Sequence, residues 1–250
     1  MPKAISDIEI ATKIEYIRIS YEKSVATLKK QYSWKKSDAR IVAFVKGVRI
    51  MNAIQIGFDH LIKNLKIPEW WVQRYPGHQI TAVNQKRLCE EFDLFFRTGL
   101  INDLYGSFES SLRLFAGAYD SETFSNMTIA ISKIYPKFFQ MVDVKQYEDL
   151  FKIWGNIRNT IHNDGMFNPP NQKDELINYN DEQYKFYVGK PVVHTGWFDL
   201  LELSFELGKM TFEIVNNTAI SSISYIEEPN SKFWDIFEKP FDWKEFVQTK

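Results

Sequence analysis

Arg158 and His162 are the side chains in this 250-residue sequence whose types and spacing point most directly to chemistry. They lie in the stretch Asp149 to Gly165, which reads as an amphipathic helix closed by an Asn163-Asp164-Gly165 stop. Residues four apart share one helix face, about 40° apart in rotation, so both groups can address one bound group. A guanidinium supplies permanent positive charge for phosphate oxygens, and an imidazole exchanges protons near neutrality. On RNA, such a histidine can help the 2′-hydroxyl attack the adjacent phosphorus or protonate the leaving oxygen, while the arginine stabilises the charged transition state. The structural alternative has Arg158 paired with an acid inside a bundle and His162 at the helix C-terminus, where a cation is favourable. Asn156, Asn159 and Asn163 extend the set as substrate-binding candidates, although helix asparagines often simply face solvent.

Other chemistries lack their residues. Cys89 is the sole cysteine, which removes intrachain disulfides and cysteine-based metal sites and favours a reducing compartment. There is no glycine-rich phosphate loop, no His-Glu-x-x-His and no Gly-x-Ser-x-Gly, and the four histidines stand in unrelated local settings. The expectation is chemistry or binding without metal or cofactor. No signal peptide or uninterrupted apolar run of membrane length is evident, so a cytoplasmic protein without membrane partners is the simplest expectation.

Charge is uneven along the chain. Met1 to Lys66 holds 13 Lys and Arg against 6 Asp and Glu, a balance of +7, and the remainder carries −8, leaving −1 overall. A basic half of this kind can bind nucleic acid, or dock on the acidic half or on a second copy. Lys29, Lys30, Lys35, Lys36, Arg40, Lys46 and Arg49 concentrate it near one point.

The elements that must position these residues are mostly helical. Ile10, Ile14, Ile17, Tyr21, Val25 and Leu28 recur at spacings of three and four, and Ile41 to Leu61 repeats the pattern after a Ser37-Asp38 cap. Together they predict a long N-terminal helical hairpin. From Pro68 to Ala82, two prolines and a Pro-Gly pair predict a helix-free boundary, with Trp70-Trp71 either anchoring the loop or stacking bases. Helices are expected over 84–119, where Gly99 and Gly106 allow a bend, then over 122–135, 144–162 and 197–217. A β-hairpin is expected over 178–193 with its turn at Gly189-Lys190, and His194 is expected to cap the last long helix or to make a second RNA contact. The 219–250 tail, with Trp234, Phe237, Phe241, Trp243 and Phe246, is expected to pack on the body.

The run Arg158-Asn159-Thr160-Ile161-His162, on a penultimate core helix, resembles the Arg-polar-x-His signature of HEPN domains, a helical superfamily of prokaryotic defence and toxin ribonucleases. Ser107-Phe108-Glu109-Ser110-Ser111-Leu112-Arg113 resembles the acidic-aromatic helix that packs against the signature helix there. Three residues separate Arg158 from His162, against four to six in the usual signature, and the tyrosine that follows the histidine in toxins neutralised by a nucleotidyltransferase is replaced by Met166 and Phe167 nearby. The resemblance implies that Arg158 and His162 are catalytic, that Glu109 orients Arg158 from the neighbouring helix, and that Asn159 is the polar residue following the arginine. It further implies a homodimer forming one RNA cleft, metal-independent cleavage leaving a cyclic phosphate, and a possible antitoxin or other defence-system partner.

The resulting expectation is a mainly α protein. Its parts are a helical hairpin and Pro/Trp loop over 1–82, a HEPN-like bundle over 83–218 with the small β-hairpin before its last core helix, and the aromatic tail over 219–250. The expected function is endoribonuclease, with a non-catalytic module that binds a partner protein or nucleic acid as the alternative.

Overall fold

A computed structural model describes residues 5–77, 80–121, 144–161 and 163–229. Helix α1 (Asp7–Gln31) opens on a capping box, in which the Ser6 hydroxyl accepts from the Glu9 N–H and the Glu9 carboxylate accepts from the Ser6 N–H. Asp38 opens α2 (Ala39–His60) by accepting from the N–H of Arg40. The two helices pack along each other as the expected hairpin.

Helix α2 continues into a π-helical turn, Leu61–Leu65, after which the backbone leaves the Leu65 carbonyl unclaimed. Three side chains collect it: the Trp71 indole N–H at 2.7 Å, the Gln85 amide at 3.2 Å and the Cys89 thiol at 3.2 Å. Trp71 is therefore an anchor rather than a base-stacking platform. The boundary expected to be helix-free contains a short helix, α3 (Pro68–Arg74), because proline at the first helical position loses no hydrogen bond.

Helix α4 (Ala82–Gly99), a second π-helical turn (Leu100–Tyr105) and α5 (Gly106–Tyr119) follow in one path, and the wide turn falls between the two glycines expected to permit a bend. Next come α6 (Val144–Ile161), strands β1 (Glu175–Tyr179) and β2 (Glu182–Phe186), α7 (Trp197–Asn216) and α8 (Thr218–Ser221). The fold is mainly α with one small antiparallel sheet. The helix expected over 122–135 and the tail aromatics from Trp234 lie outside the described residues.

The hairpin is real but earlier than expected. Glu175 pairs with Phe186 and Tyr179 with Glu182 across a turn at Asn180-Asp181, whose φ angles are 48° and 61°. Asn and Asp tolerate this left-handed conformation, which suits a two-residue hairpin turn. Gly189, at φ 67°, makes a separate turn that bonds back to Phe167. Ile177, Tyr179, Tyr184 and Phe186 point inward in strict alternation.

The core is continuous from the N-terminal hairpin to α7. Tyr21 lies near its centre, edge-on to Phe44 and Phe108, with its hydroxyl donating to the Ser204 carbonyl at 2.5 Å. A Cβ on Gly47 would stand 2.8 Å from this ring, and one on Gly208 would overlap it, so two helices approach the tyrosine through glycine.

Arg40 and Lys46 leave the expected basic surface. Arg40 is wholly buried, donating to Asp38 at 2.8 and 2.6 Å and to the carbonyls of Ile220 and Ile223 at 2.7 and 2.9 Å, with its guanidinium 3.7 Å from the Trp34 ring centre. Lys46 pairs with buried Glu228 at 3.1 Å. Both ties hold the 218–229 segment on the hairpin. The 27-residue helical path 39–65 is long and apolar enough to cross a membrane by length and composition, which the sequence reading did not anticipate. Half of its apolar window is buried inside the protein.

Candidate functional site

Helix α6 is held by its apolar stripe: Leu150, Phe151, Ile153, Trp154 and Ile157 are buried. The Trp154 indole donates to the Leu203 carbonyl at 3.2 Å, fixing α6 on α7. Because positions 156 and 158 differ by about 200° around the axis, Arg158 and Asn156 must leave α6 on opposite sides. The residues singled out from sequence are accordingly divided between two places.

On one side Gly155 and Arg158 turn towards Tyr105, whose hydroxyl lies 3.6 Å from where a Cβ on Gly155 would stand. Tyr105 is buried, stacked on Trp154 at 5.9 Å. Burial raises its pKa above the ordinary phenol value, the Glu109 charge adds to this, and the Arg158 and Arg113 charges oppose it. The four groups thus share one electrostatic neighbourhood. Glu109, expected to orient Arg158, instead pairs with Arg113 one turn along its own helix, at 2.7 Å. Arg158 is half-buried and forms no hydrogen bond or ion pair among the described residues. Among the described residues, two guanidinium groups and one carboxylate act on the Tyr105 hydroxyl. His162 lies outside the described residues.

On the other side, Asn156, Asn159 and Asn163 line a cleft of about 550 Å³, closed by the Phe167 to Asn171 loop and Glu175. The Asn156 amide donates to the Glu175 carboxylate at 2.8 Å, tying α6 to β1, and the Asn163 amide donates to the Asn159 carbonyl at 3.1 Å. Asn159 is exposed. The helix stop forms as the Asn-Asp-Gly run predicts: the N–H of Gly165 reaches the Thr160 carbonyl at 2.8 Å, with φ of 52° at Asp164 and 80° at Gly165.

Sequence reasoning missed Tyr105, Arg113 and Glu175. The i, i+4 spacing of Glu109 and Arg113 was a legible signal for their pairing, whereas Tyr105 and Glu175 come from distant elements with no local signature. His194 does not cap α7, whose N-cap is Gly196; its Nε2 accepts the Lys185 N–H at 2.9 Å beneath the hairpin. Among the described residues no group of three or more His, Cys, Asp or Glu is arranged to hold a metal ion.

Comparison with protein-family models, with curated proteins and with solved structures yields no match.

Proposed function

We propose that this chain is a metal-independent endoribonuclease of the prokaryotic defence or toxin type, cleaving RNA at a cleft made by two copies of a HEPN-like domain. The supporting observation is the state of Arg158: half-buried, acting on the same Tyr105 hydroxyl as a glutamate that pairs with Arg113, and with no carboxylate of its own among the described residues. Such a guanidinium is poised to hold phosphate oxygens in a partly desolvated setting, where its charge counts for more than in water. In this reading Arg158 stabilises the phosphorane-like transition state. His162 moves the proton, either from the 2′-hydroxyl as it attacks or to the departing 5′-oxygen, leaving a cyclic phosphate. One imidazole cannot serve as base and acid in the same step, so a second copy supplying its own His162 gives the homodimer a chemical purpose.

The test is cleavage of mixed RNA in chelator by the wild type, Arg158→Ala and His162→Ala. The two variants are expected to lose about 10²-fold or more in rate, the usual scale for a proton-transfer or charge-stabilising group; equal activity in all three overturns the reading. The second reading, a non-catalytic module that binds a partner protein or nucleic acid, is favoured by the Asn156–Asn159–Asn163 cleft, which offers neutral hydrogen-bonding groups on the face away from Arg158. It predicts that His162→Ala weakens stability or assembly while leaving no nuclease activity to lose.

A further inference from the structure

The cleft of about 550 Å³ beside α6 is lined by five asparagines: Asn156, Asn159 and Asn163 from the helix, Asn168 and Asn171 from the facing loop. Its volume falls within the range of about 300–1,000 Å³ usual for ligand pockets. Both walls are fixed by bonds of their own. The Asn156 amide ties the helix to β1 through Glu175. In the loop, the Phe167 N–H donates to the Lys190 carbonyl at 3.0 Å, the Phe167 carbonyl accepts from the Gly189 N–H at 2.9 Å, and the Pro169 carbonyl accepts from the Gln172 N–H at 3.0 Å. A cleft already in shape loses little order on binding.

Partner chemistry sets which way three of the amides face. An ionised carboxylate and a main-chain carbonyl only accept, so Asn156 turns its NH₂ to Glu175 and Asn163 turns its NH₂ to the Asn159 carbonyl. Each keeps a side-chain carbonyl for a ligand. Asn171 is the reverse, accepting the Lys173 N–H at 3.2 Å and keeping its NH₂. Asn159 and Asn168 are exposed, and their side chains bond nothing among the described residues. The cleft therefore presents neutral donors and acceptors side by side.

The ligand class follows from charge, rings and spacing. Among the described lining residues there is no lysine or arginine, so phosphate oxygens find no counter-charge. The one ring, Phe167, is 3% exposed and offers no face on which a base could stack. A peptide main chain needs neither, being neutral and repeating one N–H donor and one carbonyl acceptor per residue. The three helix asparagines lie within about 60° around the axis, and Asn159 and Asn163 stand about 6 Å apart along it. Alternate residues of an extended chain are about 6.6 Å apart, so successive asparagines can meet successive residues on one side of such a chain.

We propose that this cleft binds an extended peptide segment by its main chain, with Asn159 and Asn168 each pairing with a backbone N–H and carbonyl, and Glu175 receiving a basic side chain. The inference rests on the second reading above, in which this cleft is a binding site, and commits that reading to a protein partner.

The test is a titration of the isotope-labelled full chain, followed by nuclear magnetic resonance of its asparagine side-chain amides. The probes are capped Ala-Lys-Ala-Lys-Ala, the same peptide methylated on its main-chain nitrogens, tetra-adenylate and maltotetraose. The unmodified peptide is expected to shift the asparagine signals and to saturate, and the methylated one, which lacks main-chain donors, to bind at least tenfold more weakly. Asn159→Ala and Asn168→Ala, both at exposed positions, are each expected to weaken peptide binding by about tenfold, the scale of two neutral hydrogen bonds. No shift with the peptide, equal affinity for its methylated form, tighter binding of tetra-adenylate or maltotetraose, or full affinity in both folded variants overturns the proposal. Tetra-adenylate binding in place of the peptide overturns this inference while leaving the second reading standing with nucleic acid as its ligand, so the two failures are distinct.

Discussion

Replacing Arg40 with methionine removes a fully buried cation of the N-terminal hairpin while keeping most of its aliphatic volume. In the native protein this guanidinium donates two bonds to Asp38, at 2.8 and 2.6 Å, and one each to the carbonyls of Ile220 and Ile223. After Arg40→Met the Asp38 carboxylate stays wholly buried, with the backbone N–H groups of residue 40 at 3.0 Å and Ile226 at 3.2 Å as its remaining donors. An uncompensated buried charge of this kind costs about 3–5 kcal/mol. At about 2–4 °C per kcal/mol for a chain of this size, the thermal midpoint is expected to fall by about 6–20 °C. Urea unfolding followed by tryptophan fluorescence measures the first quantity and circular dichroism the second. Limited proteolysis is expected to cut the 218–229 segment first, because Arg40 supplies two of its polar ties and fixes the Asp38 carboxylate that holds the Ile226 N–H. Adding Asp38→Asn to Arg40→Met is expected to recover part of the loss, since asparagine retains the helix cap and removes the stranded charge. A loss below about 1 kcal/mol with unchanged proteolysis would refute the reasoning, and a loss of RNA affinity at full stability would restore Arg40 to a phosphate-binding surface.

Two further outcomes test the packing and the electrostatics. Gly208→Ala drives a methyl group into the Tyr21 ring and is expected to destabilise by about 1–3 kcal/mol in urea unfolding, whereas alanine at Gly106, where a Cβ meets nothing, serves as the tolerated control. Asp199, beneath the hairpin, has its pKa pushed up to about 6 by burial and then by the Glu182 charge. Its contribution is therefore full below about pH 4 and is lost as pH rises through about 6, so Asp199→Asn is expected to gain stability relative to wild type across that window. His194, 3.9 Å from Asp199 and lowered by burial and the Lys185 charge, acts in the opposite sense: its share is present above its ordinary pKa and lost as pH falls. Unfolding curves of both proteins from pH 4 to 8 separate the two, and parallel profiles would contradict the assignment to Asp199.

Helix positions were legible because they rest on local rules. The Ser6 and Asp38 caps, the three-and-four spacing of α1 and α2, and the Asn163-Asp164-Gly165 stop all operate within a few residues of chain. The hairpin shows where local reading falters. Both Asn180-Asp181 and Gly189-Lys190 make turns, and only cross-strand pairing of inward-facing Ile177, Tyr179, Tyr184 and Phe186 decides which one reverses the chain.

The candidate site divides the same way. Helix spacing alone places Arg158 and Asn156 on opposite sides of α6, and it offers Arg113 to Glu109 at i, i+4. What stands against each face is a matter of tertiary packing: Tyr105 reaches Arg158 from the π-helical turn before α5, and Glu175 reaches Asn156 from β1. Burial likewise separates basic residues of one type, taking Arg40 into the core and leaving Lys29 and Lys30 in water. Sequence by itself determined the mainly α class, the ends of α1, α2, α6 and α7 to within a few residues and the inventory of reactive groups, because these depend on residue type and near-neighbour spacing. Only the tertiary structure decided which charges are neutralised and which remain available, because that depends on groups far apart in the chain meeting where water is excluded.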